Sequence, residues 1–212
     1  MAKLKKGILG PFSGTLGNVV GATWKSIPYV RAKPVKKKKK TPRSPGQIAT
    51  QEKMRFVNNF LVPFHPYINV GMINEAAAQT EISAAFTANY HHSIIGTHPD
   101  LTVDYSKFIF SKGKLPMVTD VVMELSSPDT ISLTWNRTGN LKTAYNDQLI
   151  LVLYCRDFHK ADGFVGGVKR TTEKCTYQFN PQFVGKQLDV YLSLISFNRK
   201  HIADNVYLGQ LG

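Results

Sequence analysis

A chain of 212 residues, 42% hydrophobic with twelve Phe and nine Tyr, can bury a core and lacks the composition of a disordered protein. Its formal net charge of +13 is concentrated: ten Lys and two Arg, with no Asp or Glu, fall between Met1 and Arg43, while Ser44 to Gly212 is nearly neutral with fifteen basic and fourteen acidic residues. No apolar run is long enough to span a bilayer, and the two cysteines, Cys155 and Cys175, are too few for a disulfide framework.

The first 43 residues read as a basic, glycine-spaced arm. Gly7, Gly10, Gly14, Gly17 and Gly21 recur every three or four residues, a spacing that permits tight turns and close backbone approach. The segment imitates a signal peptide, but five Gly and a Pro weaken its apolar run and no good cleavage site follows, so secretion is not expected. It holds neither GxGxxG nor GxxxxGK[ST], so no nucleotide site is expected. Asn18 to Val20, Ala22 to Lys25 and Ile27 to Arg31 read as extended, with Pro28 marking an edge or a turn. Trp24 and Tyr29 alternate with Lys25, Arg31 and Lys33. Aromatics interleaved with cations suit a single-stranded nucleic-acid platform, though pinning the arm onto a core or a neighbouring subunit is the more ordinary role for such rings.

The run Lys36, Lys37, Lys38, Lys39 and Lys40 is either a solvated linker or a contact for a polyanion. With Arg31, Lys33 and Arg43 flanking it, and Lys3, Lys5 and Lys6 as a second cluster, these are the candidate phosphate-binding residues.

Ser44, Pro45 and Gln47 open a helix as a capping box, with Ile48, Phe56, Val57, Phe60 and Leu61 on its apolar stripe and Pro63 and Pro66 as its stop. An alanine-rich helix is predicted from about Asn74 to His91, then strands over Leu101 to Tyr105 and Lys107 to Ser111. His91, His92 and His98 lack the spacing of a metal motif, and no metal or cofactor is expected.

From Leu115 the period changes to two. Strands are predicted at Val118–Val122, Thr130–Trp135, Gln148–Tyr154, Cys175–Phe179, Leu188–Ile195 and Val206–Leu208. Turn signals separate them, among them Arg137 to Asn140, Asp162-Gly163 and Gly166-Gly167. Cys155 and Cys175 either pair across strands or stay as buried thiols. Cys155 lies in a strand-like run near His159, four residues on, but an extended strand does not bring the two together unless a turn intervenes, so no catalytic residue is expected.

DTISLTW (Asp129 to Trp135) resembles the second strand of a fibronectin type III or immunoglobulin-like domain, with its buried Trp. KCTYQFNPQFVGKQLDVYLSLIS (Lys174 to Ser196) resembles the passage from strand E to strand F, and VYLG (Val206 to Gly209) the last strand. Over nearly its whole length, in KKGILGPFSGTLGNVVGATWK, YVRAKP and the terminal YLG, the chain resembles a Bacteroidota family of unknown function. That resemblance implies a two-part architecture and no activity. The expected fold class is therefore α+β: a basic extended N-terminal arm (1–43), a small helical region with short strands (44–114) and an antiparallel immunoglobulin-like β-sandwich (115–212).

The expected function is a non-catalytic structural protein that binds DNA or RNA non-specifically through the arm. Such a protein self-associates or joins a larger nucleoprotein or virion assembly, and is cytoplasmic or virion-associated. The alternative is a protein- or carbohydrate-binding module that uses the sandwich.

Overall fold

The computed structural model describes residues 2–3, 12–35, 42–76, 79–136 and 146–212. The fold is α+β, and the chain divides into two compact units, Met1–Ser44 and Pro45–Gly212.

The first unit is an antiparallel sheet. Strands β1 (Ala2–Lys3), β2 (Gly14–Leu16), β3 (Val19–Trp24) and β4 (Ile27–Ala32) lie in the order β1-β4-β3-β2. The extended pieces read from the sequence thus pair with each other. Two-residue turns make the hairpins. Gly17, at φ +57, opens the β2–β3 turn. Lys25 and Ser26, at φ +45 and +63, both take the left-handed conformation that a type I′ hairpin requires.

The second unit begins with α1 (Pro45–Leu61), a 3₁₀ turn (Val62–Phe64) and α2 (His65–Gly71). α1 ends at Leu61, just ahead of the prolines as expected, but the helical path goes on through Pro63 and Pro66. Each falls in the first turn of a new segment, where a missing N–H breaks no intrahelical bond. The next helix, α3 (Glu81–His92), starts later than its alanine content suggests. Thr80 caps it, its hydroxyl accepting from the Ser83 amide at 3.2 Å. A hairpin follows, β5 (Ile94–Thr97) with β6 (Asp100–Val103). Among the described residues no helix is long and apolar enough to cross a membrane.

The strand predicted at Lys107–Ser111 is absent. Side-chain amides satisfy this backbone instead of a ladder. Asn89 accepts from Ile109 N and donates to Ile109 O, at 2.9 and 2.7 Å. Asn205 accepts from the Phe110 and Ser111 amides and donates to the Phe108 carbonyl. Alternation there places Phe108 and Phe110 in the core without any strand partner.

Seven strands complete the unit: β7 (Thr119–Ser127), β8 (Thr130–Asn136), β9 (Gln148–Cys155), β10 (Lys160–Lys169), β11 (Lys174–Gln178), β12 (Leu188–Ile195) and β13 (Val206–Leu211). They form a three-stranded antiparallel sheet, β11-β8-β7, and a four-stranded one, β10-β9-β12-β13. The sequence hides β10, because Asp162-Gly163 and Gly166-Gly167 look like turns. Gly163 lies inside the strand at φ +145, where any Cβ would collide with the Leu151 carbonyl, and the ladder is irregular between Val165 and Lys169.

The central strands of the four-stranded sheet, β9 and β12, are buried on both faces. Ile150, Val152 and Tyr154 of β9 and Tyr191 of β12 pack with Phe60, Phe64 and Ile68 from the helices. Leu149, Leu151 and Leu153, with Val190, Leu192 and Leu194, pack on Ile131, Leu133 and Trp135 of β8. All eight β12 positions are buried, which explains the unbroken apolar character of LDVYLSLI. Cys155 and Cys175 are free thiols within the second of these cores.

Candidate nucleic-acid interface

The register of the N-terminal sheet decides which side chains share a face. Trp24 pairs with Ile27, Ala22 with Tyr29 and Val20 with Arg31. Directly opposed residues of an antiparallel pair project to the same side, as do alternate residues along a strand. Trp24, Tyr29 and Arg31 therefore stand on one face, with only Val20, Ala22 and Ile27 between them. Trp24 and Tyr29 are diagonal neighbours, a relation that separates residues by about 7–8 Å. Trp24 is 43% exposed, Tyr29 is half-buried and Arg31 is exposed.

Two further cations border this face. Lys25 Nζ lies 5.6 Å from the centroid of the Trp24 ring. Lys33 directly follows β4, its amide donating to the Asn18 carbonyl at 2.8 Å, and is exposed. The opposite face carries Leu16, Val19, Thr23, Pro28, Val30 and Ala32, and Phe12 lies against Gly21, where a Cβ would come within 2.7 Å of the ring.

Of the residues expected to touch phosphate, Arg31 and Lys33 are together at this sheet, and Lys3 is the backbone partner of Tyr29. Arg43 is exposed just before α1. Lys5, Lys6, Lys36, Lys37, Lys38, Lys39 and Lys40 lie outside the described residues. Sequence reasoning missed how Trp24 and Tyr29 come to share a face. Five positions apart, they fall on opposite sides of any single strand, and only the two-residue turn at Lys25-Ser26 reverses that parity. The turn has no Gly or Asn to announce it.

A second polar constellation lies on the helix-facing side of the second unit. The Arg156 guanidinium donates two bonds to the fully buried Asp189 carboxylate, at 2.6 and 2.7 Å. Tyr207 donates to the same carboxylate at 2.9 Å, and Arg156 stacks 3.8 Å from the Tyr105 ring centroid. Asp189 holds Arg156 in its charged form above the ordinary arginine range, and burial pushes the Tyr207 hydroxyl up to about 12. Nearby, the His159 ring binds on both sides: Nε2 donates to the Asn59 carbonyl at 2.9 Å, and in the neutral ring Nδ1 accepts from Tyr154 at 2.8 Å. Cys155 belongs to the opposite core, so the Cys155–His159 pair does not meet. These groups are spent on one another and tie α1 to β9, β12 and β13.

Among the described residues, no group of three or more His, Cys, Asp or Glu side chains converges as a metal site would. A cleft of about 310 Å³ between α1 and the β5–β6 turn is lined by Glu52, Arg55 and His98, but Glu52 and Arg55 close on each other at 3.1 Å.

A family of unknown function, DUF6266, matches residues 11–209. The chain belongs to that family. No curated protein matches it. The DUF6266 match begins just before Phe12 and ends within β13, so it takes in both the aromatic sheet and the layered body.

Proposed function

We propose that this chain is a non-catalytic structural protein that binds nucleic acid through its N-terminal unit. The observation that carries the proposal is the shared face of Trp24, Tyr29 and Arg31 within the one part of the chain that holds +12 and no acid. Two rings at diagonal sheet positions offer stacking to successive bases, and the cations around them take the phosphates. Lys36 to Lys40 add a sequence-independent phosphate contact next to that face in the chain.

The body serves as the assembly element. Its 3 + 4 strand order, with Trp135 buried on β8, supports a fibronectin type III-like sandwich, to which this protein adds a helical layer. A nucleoprotein component of a Bacteroidota cell or virion, acting in the cytoplasm or the particle and associating with further copies, fits that division of labour.

Binding of single- and double-stranded DNA and of RNA across a salt series tests this. Changing Lys36 to Lys40 to Gln is expected to shallow the log–log salt slope on duplex by about 4 units. Trp24→Ala is expected to weaken single-strand binding about 5- to 150-fold, the worth of one stacked base, and to affect duplex binding much less. An intact chain that binds no polyanion at low salt overturns the reading and turns attention to the sandwich as a protein- or carbohydrate-binding module.

A further inference from the structure

The loop from Ser196 to His201, between β12 and β13, is locked by its own hydrogen bonds. The Ser196 amide donates to the His201 carbonyl and the Arg199 amide to the Ser196 carbonyl, both at 2.8 Å. The His201 amide donates to Ser196 Oγ at 2.9 Å, Ser196 Oγ donates to Asn198 Oδ1 at 2.8 Å, and the Lys200 amide donates to the same oxygen at 3.0 Å. Arg199 accepts a left-handed φ of +56 to close the turn. This tip is built to hold one shape.

What that shape presents is a ring and cations. Phe197 is 68% exposed, more than any other aromatic side chain among the described residues. Arg199, Lys200 and His201 are exposed beside it in sequence. The exposed Lys114 lies on a segment joined to the chain just past the tip: the Leu115 amide donates to the Ile202 carbonyl at 2.9 Å, and the Gly113 amide to Asp204 Oδ1 at 2.9 Å. That second bond occupies one oxygen of Asp204, the acid nearest the tip in sequence. Phe197 contributes nothing to either core. A large ring held in water by a rigid loop is an anchor whose ordering cost is met before a ligand arrives.

We infer that the Phe197–Lys200 tip is a second contact for single-stranded nucleic acid, separate from the N-terminal sheet. The inference takes its ligand class from the nucleic-acid reading. These backbone groups bond within the loop, so recognition falls to side chains. A nucleotide supplies in one unit what they ask for: a planar face for Phe197 and a phosphate for Arg199 and Lys200. An acidic peptide offers the charge, but a flat partner for the ring only by chance of sequence.

The test uses the full chain and a fluorescent thymidine oligonucleotide across a salt series. Phe197→Ala is expected to weaken binding about tenfold. The double change Arg199→Gln, Lys200→Gln is expected to shallow the log–log salt slope on the single strand by about 1.4 units. Both variants alter exposed side chains and keep the wild-type urea midpoint, so a loss of binding is not a loss of fold. If both bind as wild type while Trp24→Ala weakens, the tip is no contact and the inference is overturned with the sheet reading intact. If the intact chain binds no oligonucleotide at low salt, both readings fall. If a Glu-rich peptide binds in a Phe197-dependent way while oligonucleotide binding does not need Phe197, the tip serves a protein partner and the inference is overturned.

Discussion

Asp147 and Arg170 face each other inside the body, both fully buried, with Arg170 Nη1 3.8 Å from Asp147 Oδ2. That is close enough for attraction and too far for a hydrogen bond. Among the described residues neither carboxylate oxygen of Asp147 has a hydrogen-bond partner, nor do Nε and Nη1 of Arg170. Nη2 donates to the Pro116 carbonyl, and the Arg170 backbone is fixed from both sides, its amide to Asp147 O at 2.7 Å and its carbonyl by Trp135 Nε1 at 2.8 Å. A buried pair without its full set of bonds holds the fold against its own desolvation cost. Burial pushes the Asp147 carboxyl up despite Arg170, and pushes Arg170 down. A carboxyl whose folded value is raised binds its proton more tightly in the native state. Its contribution to stability therefore falls as pH rises from the ordinary carboxylate range through the raised value. Arg170→Met alone is expected to cost about 3–5 kcal/mol, because it strands Asp147. The double change Asp147→Val, Arg170→Met is expected to recover most of that loss and to flatten the pH dependence. Urea unfolding of the four proteins of this cycle, at two pH values, checks both.

At the scale of elements, the segment from Phe108 to Ser111 shows an alternating apolar pattern serving the core without a strand. Asn205 stands in for the missing neighbour by meeting three backbone groups. Asn205→Ala leaves the Phe110 and Ser111 amides and the Phe108 carbonyl without that partner. A buried group left unsatisfied costs about 1–3 kcal/mol. The expected loss is thus several kcal/mol, read as a drop in urea midpoint, with the largest gain in amide exchange at Phe110 and Ser111. This segment also marks where the sequence stops being legible. The periods of Thr130–Trp135 and Leu188–Ile195 state strands correctly, because a repeated ladder imprints a repeated pattern. Most backbone partners of Phe108 to Ser111 are the side chains of Asn89 and Asn205, the second almost a hundred residues away, and no local pattern carries that. Gly163 misleads for a related reason: its close approach to Leu151 uses the same residue type as a turn. Pro63 and Pro66 mislead because a proline that ends one helix also starts the next.

For the whole molecule, the division is between a charged sheet and a body with two apolar cores. Among the described residues, both apolar cores of the body are built from Phe56 onward. The candidate site was half legible: the charge of the first 43 residues and the pairing of rings with cations stand in the sequence, while the common face of Trp24 and Tyr29 depends on an unannounced turn. That sheet, in turn, has little with which to hold itself. Among its described residues only Gly21 is buried, and units of this size rarely fold without a staple or a partner. Removing the first 44 residues is therefore expected to leave the body's cooperative urea transition unchanged within about 0.5 kcal/mol, the tolerance of additivity for independent parts. Hydrogen exchange on the intact chain refines the point. Amides of β9 and β12 are expected to exchange only through global unfolding, and those of β3 and β4 through a far cheaper local opening. Saturating oligonucleotide is expected to slow exchange in β3 and β4, because a ligand that binds only the folded sheet stabilises it by mass action. Slow β3 and β4 exchange without ligand, or a destabilised truncated body, would show instead that the sheet belongs to the body's own fold, and Trp24 and Tyr29 would then be packing residues.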